Sequence, residues 1–438
     1  MKTSRRHFLK ITSATLAAPM IISRCALAQD GVPGANERIG VAGIGVGRQG
    51  SFVFRNTVKL PQAQAICTAD VYLPRAAAVA KSVNLDPENA YQDYRRVLER
   101  KDVDAVISAT PEHWRSLTCI HAAQAGKHIY SEKPMSLTVS EGRLMVQAAR
   151  KYKITFQTGS QQRSQRANAI GCKFIREGGL GSIKEVLAAN YESPWLAAMP
   201  ESPIPNGLDW DMWCGPTEKV PYNGQIFTPR GNPGWLSLRP YSGGEMTGWG
   251  THGLDQIQWA LGMQETGPVE IIVTGEKLVP PVYNEPESSK RGNSLCNSPR
   301  LAFRYANGIT VLLGDPKTGK QSNRGGAIFF GSQGKMEIFR GRIGTNPPEI
   351  AKTLLDESPI KEQNHYENWL NCIKSGETPI SDVEFGHRTA SLCHILNIAR
   401  YIGHSLKWDP VAERFDDEQA NEMLSRKHRA GYELPAEI

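Results

Sequence analysis

Residues 38–50, RIGVAGIGVGRQG, constrain this chain more than any other stretch. Ile39, Val41 and Ala42 read as a short buried strand, and Gly45-Val46-Gly47-Arg48-Gln49-Gly50 follows at once. That is G-x-G-x-x-G at a strand-to-helix turn. Glycines there permit a tight turn, close approach of backbone to a pyrophosphate, and packing of the next helix on the strand. With 41 glycines among 438 residues the pattern is weak alone, and a glycine-rich turn without a ligand is the alternative. Its context strengthens it. Residues 64–70 read as a second strand ending in Asp70, 20 residues beyond Gly50, the spacing of an acid that binds a ribose hydroxyl. Asp70 favours NAD over NADP, because a carboxylate accepts from the 2′-hydroxyl and repels a 2′-phosphate; neither Val71 nor Tyr72 supplies a cation to reverse this.

Apolar runs at 102–110, 127–131 and 154–158 alternate with helical patterns at 74–81, 114–125 and 138–151, the last opened by the capping box Thr138-Val-Ser-Glu141. Strands alternating with helices mean βαβ units and a parallel sheet, so 36–156 reads as one doubly wound nucleotide domain. After a helix at 166–177 the pattern turns to strands at 184–191, 269–274, 301–305, 309–313, 327–330 and 335–339. Short turns such as Ala306-Asn307-Gly308 point to hairpins. Residues 157–405 are therefore expected to form a second α/β domain with an open, mainly antiparallel or mixed sheet, closed by helices at 364–375 and 387–403. Residues 406–438 are a C-terminal extension, and 279–300, with four prolines, is a long loop.

The first 28 residues carry an address. Ser4-Arg5-Arg6-His7-Phe8-Leu9-Lys10 is a twin-arginine region, 11–23 a modest apolar run too short to span a bilayer, and Ala26-Leu27-Ala28 a cleavage site. The expectation is export to the periplasm by a route that carries folded proteins, which suits a chain that acquires its nucleotide first, and no membrane span once the signal is removed. Five basic residues of this segment account for most of the net charge of +7. No basic stripe remains to argue for nucleic acid. The eight cysteines are scattered without a C-x-x-C, so no metal site is expected.

Lys133 stands at the C-terminal edge of a parallel strand, where open α/β sheets bind ligands. An ammonium there could stabilise alkoxide character on a substrate oxygen, or simply pair with Glu132. His252, at the mouth of an apolar-striped helix, is either a general base or a satisfied core histidine, and Asp255 either orients it or bonds locally. Trp195, Trp210, Trp213, Trp235, Trp249 and Trp259, with Tyr191, Tyr222 and Tyr241, are either stacking platforms for sugar rings or core. The candidate substrate contacts are Arg163, Tyr191, Tyr241, Trp249 and His252.

These residues converge. G-x-G-x-x-G, Asp70, Ala109-Thr110-Pro111-Glu112-His113-Trp114, Ser131-Glu132-Lys133-Pro134 and Gly250-Thr251-His252-x-x-Asp255 together resemble the glucose–fructose oxidoreductase/inositol dehydrogenase/MocA (Gfo/Idh/MocA) family, in its exported form. The resemblance implies a Rossmann domain, a second domain whose sheet forms a homo-oligomer interface, and a cis peptide before Pro134. It also implies Lys133 on the reacting hydroxyl, His252 as base, and Thr110, Pro111 and Glu132 beside the nucleotide. The implied activity is NAD-dependent oxidation of a secondary hydroxyl in a sugar, glycoside or cyclitol. Many members carry an aspartate where this chain has Gly248, so Asp255 or Glu245 must substitute, or the chemistry differs. Some relatives lacking that aspartate resemble redox-neutral NAD-dependent glycosidases, which generally also lack the E-K-P lysine kept here. A non-catalytic sugar or nucleotide sensor is the third reading.

Overall fold

The computed structural model describes Gly34 and residues 37–230, 234–284, 296–315, 317–435 and 437–438. Residues 1–28, where the signal segment is expected, lie outside them. Among the described residues no helix is long and apolar enough to cross a membrane, and the seven described cysteines are buried and free.

β1 (Ile39–Ile44) is buried along its whole length, as a central parallel strand covered on both faces must be. With β2 (Ala63–Ala69), β3 (Ala90–Tyr91), β4 (Ala105–Ser108), β5 (His128–Ser131) and β6 (Phe156–Thr158) it builds a parallel sheet of order β3-β2-β1-β4-β5-β6. The strand order reverses between β1 and β4, which stay parallel, and this opens a crevice at their C-terminal ends. The helix Val139–Lys151 starts at Thr138, whose hydroxyl accepts from the Glu141 N–H, as the capping pattern predicts.

The second domain carries β7 (Ile183–Ala188), and β8 (Trp195–Ala197), β9 (Leu238–Arg239) and β11 (Val282–Tyr283), which pair as a small parallel sheet. β7 joins β10 (Glu270–Thr274), β12 (Arg300–Arg304), β13 (Thr310–Leu313), β14 (Gly326–Gly331), β15 (Gly334–Phe339), β16 (Arg342–Asn346), β17 (Leu406–Asp409) and β18 (Arg414–Phe415) in a nine-stranded mixed sheet. Its order is β16-β15-β14-β7-β13-β12-β10-β17-β18, with β7 and β13 the parallel pair. The expected α/β architecture with a mixed second sheet is what is found.

The helix Val383–Ile402 is buried almost all round. It packs on both Val139–Lys151 of the first domain and Gly250–Ala260 of the second. A Cβ on Gly142 would meet His387 Nδ1 at 2.5 Å, so a glycine is required where these helices cross. The helix His365–Ser375 does not close the second domain, as its position in the chain suggested. Trp369 and Leu370 enter the core of the first, with Val53, Phe54 and Tyr130. An apolar stripe reports that a helix is amphipathic, not which sheet it covers. Beyond β17 and β18 the chain returns to the first domain, where Arg426 and His428 grip the buried Glu141 carboxylate and Tyr432 stands edge-on to Trp114.

Candidate active site

A cleft of about 770 Å³ runs between the two sheets, from Asp70 past Gly45–Gly50 to Lys133, Trp249 and His252. Its first end is built by the turn after β1. Gly45 has φ +74°, and a Cβ there would stand 2.8 Å from the Thr110 nitrogen; one on Gly50 would stand 2.1 Å from the Gly45 carbonyl oxygen. Gly47 differs: its Cβ would meet only Arg75 Nη1, at 4.0 Å, so this glycine faces open space. Thr110 Oγ1, beside the turn, is buried without a partner among the described residues. A bare backbone turn at a helix start, an orphaned hydroxyl and a carboxylate at the end of β2 fit a dinucleotide.

Asp70 accepts from the Tyr72 N–H at 3.0 Å and from Arg75 Nη1 at 3.3 Å. Burial raises its pKa and Arg75 opposes the rise. The cation not found at Val71 or Tyr72 is thus supplied by Arg75, in the first turn of the next helix. Glu132 organises the middle of the cleft, accepting from Gln49 at 3.0 Å, Gln161 at 2.8 Å and the Lys133 N–H at 3.2 Å.

At the far end Lys133 Nζ donates to the Gly248 carbonyl at 2.8 Å, across the domain boundary. It does not pair with Glu132 in the manner of a surface lysine. The Lys133–Pro134 peptide is cis. Burial lowers the lysine pKa. His252 lies in the first turn of Gly250–Ala260, its ring 5.7 Å from that of Trp249. Among the described residues its ring nitrogens have no hydrogen-bond partner, which leaves them available to a ligand. Burial, then the positive charges of Lys133, Arg340 and Arg230, hold its pKa well below the ordinary value. A neutral imidazole and an ammonium therefore face one crevice with the nucleotide turn, an arrangement able to take a proton from a hydroxyl and steady the oxygen left behind.

The carbonyl that holds Lys133 is itself held. Glu112, wholly buried, accepts from Ser242 Oγ at 2.7 Å, the Gly243 N–H at 3.0 Å and Thr247 Oγ1 at 3.1 Å. It ties the first domain to the turn leading into Gly248.

Residues 38–160 match the family model described as "Oxidoreductase family, NAD-binding Rossmann fold", and 182–434, more than half the chain, match "Oxidoreductase family, C-terminal alpha/beta domain". The chain belongs to the Gfo/Idh/MocA oxidoreductase family. It is 28% identical over 342 residues to the scyllo-inositol 2-dehydrogenase (NAD(+)) of Bacillus subtilis, covering 77% of this chain and 86% of that one. It is 35% identical over 117 residues to the levoglucosan dehydrogenase of Pseudarthrobacter phenanthrenivorans, a match spanning 27% of this chain and only 30% of the relative. A solved levoglucosan dehydrogenase in complex with NADH and levoglucosan superposes with a TM-score of 0.54 at 17% identity, over 87% of this chain and 99% of that one, and shares the fold.

Within this Gfo/Idh/MocA frame several expected site residues stand elsewhere. Asp255 does not reach toward His252. Its carboxylate receives Arg163 Nη2 at 2.7 Å, Arg163 Nε at 2.9 Å and Thr389 Oγ1 at 3.2 Å. Arg163, 1% exposed and flanked by the rings of Trp259 and Phe385, is correspondingly no substrate contact. A buried charge pair of this kind is stable only while both members remain. Tyr191 lies beneath the His252 helix, donating to the Arg324 carbonyl; a Cβ on Gly253 would collide with its hydroxyl at 2.0 Å. Tyr241 is core, 4.9 Å from the Trp213 ring and 5.2 Å from His113. Trp249 and His252 do line the cleft, with Trp213 and Trp235. Val46 is buried outside the lining, while the other nucleotide candidates, Gly45, Gly47, Arg48, Gln49, Gly50, Asp70, Thr110, Pro111, Glu132 and Lys133, all contribute to it.

Of the two carboxylates considered for the missing aspartate, Glu245 is the one beside Gly248, although it does not line the cleft. Its Oε2 lies 3.0 Å from where a Gly248 Cβ would be, and it pairs with Arg230 at 2.6 Å. Arg75, Glu112, Arg230 and Arg340 were not anticipated as parts of the site. Only Glu112 carried a signal, its place in the Thr110–Trp114 motif.

Proposed function

We propose that this chain is an NAD-dependent dehydrogenase that oxidises a secondary hydroxyl of a sugar, glycoside or cyclitol. One observation carries the reading: Lys133 and His252 line the same crevice as the Gly45–Gly50 turn. NAD bound there supplies the hydride acceptor. His252, kept neutral by desolvation and the cations around it, takes the hydroxyl proton. Lys133, steadied by the Gly248 carbonyl, lends its remaining N–H groups to the developing alkoxide. The inositol and levoglucosan dehydrogenases among its relatives support the substrate class. The redox-neutral glycosidase generally lacks the lysine, so a Lys133 seated in the cleft lends it no support.

Export by the twin-arginine segment belongs to the same proposal. A periplasm holds no free NAD pool, so the nucleotide is expected to stay bound and be recycled by a second substrate. A homo-oligomer through the nine-stranded sheet is also proposed. Ile272, Ala302, Leu312 and Ile328 form a partly exposed apolar row across β10, β12, β13 and β14 that such a partner would cover.

The test incubates purified protein and NAD with a panel of sugars and cyclitols, following NADH absorbance and the ketone product. NADH should appear with at least one, and Lys133→Met should lower kcat/KM by about a hundredfold or more while NAD still binds. Unaltered sugars throughout, or full activity in K133M, would overturn the proposal. Protein that arrives free of nucleotide and turns over only with excess NAD would remove the retention idea alone.

A further inference from the structure

The His252 end of the cleft, where two arginine side chains stand exposed to solvent, carries more positive charge than a neutral sugar requires. Arg230 and Arg340 line it beside Lys133, Trp249 and His252. Arg230 has a counter-charge in Glu245. Arg340 has none: among the described residues its guanidinium makes no ion pair or hydrogen bond, and it lies over the Trp249 ring at 5.3 Å. The nucleotide gives no reason for this charge. Its phosphates belong at the Gly45–Gly50 turn, and its nicotinamide end bears a neutral carboxamide.

The backbone under Arg340 points the same way. Arg340 and Gly341 form the turn between β15 and β16 and have φ of +30° and +80°. Consecutive left-handed residues in a two-residue hairpin turn favour Asn-Gly, and a long side chain in the first position carries a conformational cost. The stem is also accommodated, since a Cβ on Gly325 would lie 2.8 Å from Arg340 Cγ. A hairpin that tolerates an unfavoured residue, next to a glycine that makes room for it, holds a guanidinium at the cleft wall.

We propose that the substrate of this cleft is an acidic sugar, a hexuronate or its glycoside. Its carboxylate sits against Arg340, with Arg230 as the second cation, and its ring lies along Trp249. The planar guanidinium fork matches a carboxylate in two parallel hydrogen bonds. The proposal rests on the dehydrogenase reading and names its substrate class.

Isothermal titration of the NAD-loaded full chain with D-glucuronate, D-galacturonate, D-glucuronamide, D-galacturonamide and D-glucose 6-phosphate tests it, alongside NADH formation from the same compounds and from neutral sugars. The variant is Arg340→Asn, which removes the guanidinium yet suits the turn and so keeps the fold. At low salt a uronate should bind the wild type about tenfold or more tightly than its amide, as a charge-assisted pair requires. That preference should shrink as salt rises and approach one in R340N. A ratio near one in the wild type, a ratio retained in R340N, no binding of either uronate, or tighter binding of the phosphate would overturn the proposal. The two readings separate cleanly. Neutral sugars oxidised without any preference for acids leave the dehydrogenase intact and remove the acidic seat. Acid-selective binding with no NADH from any sugar leaves the seat and removes the dehydrogenase.

Discussion

Restoring the family aspartate should harm this protein. Gly248 is where many Gfo/Idh/MocA members carry it, but a Cβ there would already stand 3.0 Å from Glu245 Oε2 and 3.6 Å from Arg230 Nη2. In Gly248→Asp a second carboxylate therefore lies against the first. Two such charges about 4 Å apart repel by about 4 kcal/mol at an effective dielectric constant of about 20. Arg230 is partly exposed and already shared with Glu245; its cation offsets roughly half of that, leaving a net cost of about 2 kcal/mol. G248A measures the cost of the Cβ alone, which is small because Glu245 Oε2 is the free end of a side chain. Urea unfolding followed by tryptophan fluorescence should show G248D less stable than G248A by about 2 kcal/mol at pH 7, an excess that vanishes in the E245Q background. The excess should also shrink as pH falls through the carboxylate range, since one proton relieves the repulsion. If G248D is no worse than G248A, or if its excess cost survives in E245Q, Glu245 does not occupy the vacated place and the substitution argument is refuted.

Three further outcomes follow from the same geometry. Because desolvation and three neighbouring cations hold His252 well below its ordinary pKa, kcat/KM should stay level as pH drops through 6.5 and fall only well below it; a limb centred near 6.5 would contradict a neutral base. Glu112→Gln turns an amide N–H₂ toward a hydroxyl and N–H network that needs an acceptor, costing about 1–3 kcal/mol in urea unfolding. Through the Gly248 carbonyl it should also lower kcat more than it raises KM, whereas an equal loss of stability from a remote core variant should leave kcat unchanged. His394 is buried, its Nε2 3.0 Å from the Ser136 carbonyl oxygen, and burial lowers its pKa to about 4. The unfolded chain binds a proton that the native one refuses, so this histidine makes stability fall as pH drops from about 6.5 toward 4. His394→Asn should flatten that slope by about 1 kcal/mol per pH unit, read from urea midpoints at pH 6.5 and 5.

What was legible in the sequence was local. The turn after β1 announces itself because its glycines, its strand and its acid lie within 33 residues of one another. Ser131-Glu132-Lys133-Pro134 and the helix carrying His252 are likewise contiguous, and each is found where its pattern predicts. Pattern alone could not assign partners across the chain. Asp255 stands three residues from His252 in sequence, yet on Gly250–Ala260 that offset points its carboxylate to Arg163, 92 residues away, and the pair is sealed by the rings of Trp259 on the same helix and Phe385 on Val383–Ile402. Tyr191 looked like a stacking platform because aromatic side chains are shared between cores and sugar sites; only the crossing of the Gly253 turn over its hydroxyl shows which it is.

The arginines make the same point from the opposite direction. Arg75 is not next to Asp70 in sequence, but a helix starting at Leu73 brings this residue, five positions on, back to the carboxylate. Arg230 and Arg340 lie 110 residues apart, in a loop and a hairpin turn, and neither belongs to a motif. They meet only because β14, β15 and β16 extend the second sheet on the side that carries the His252 helix. The motifs therefore mark the part of the cleft that holds the nucleotide and moves the proton. On the proposed reading, the part that selects one sugar over another is assembled by strand order, from turn residues outside either domain's core. That division is why a family assignment can stand while the substrate must be read from side chains such as Arg340.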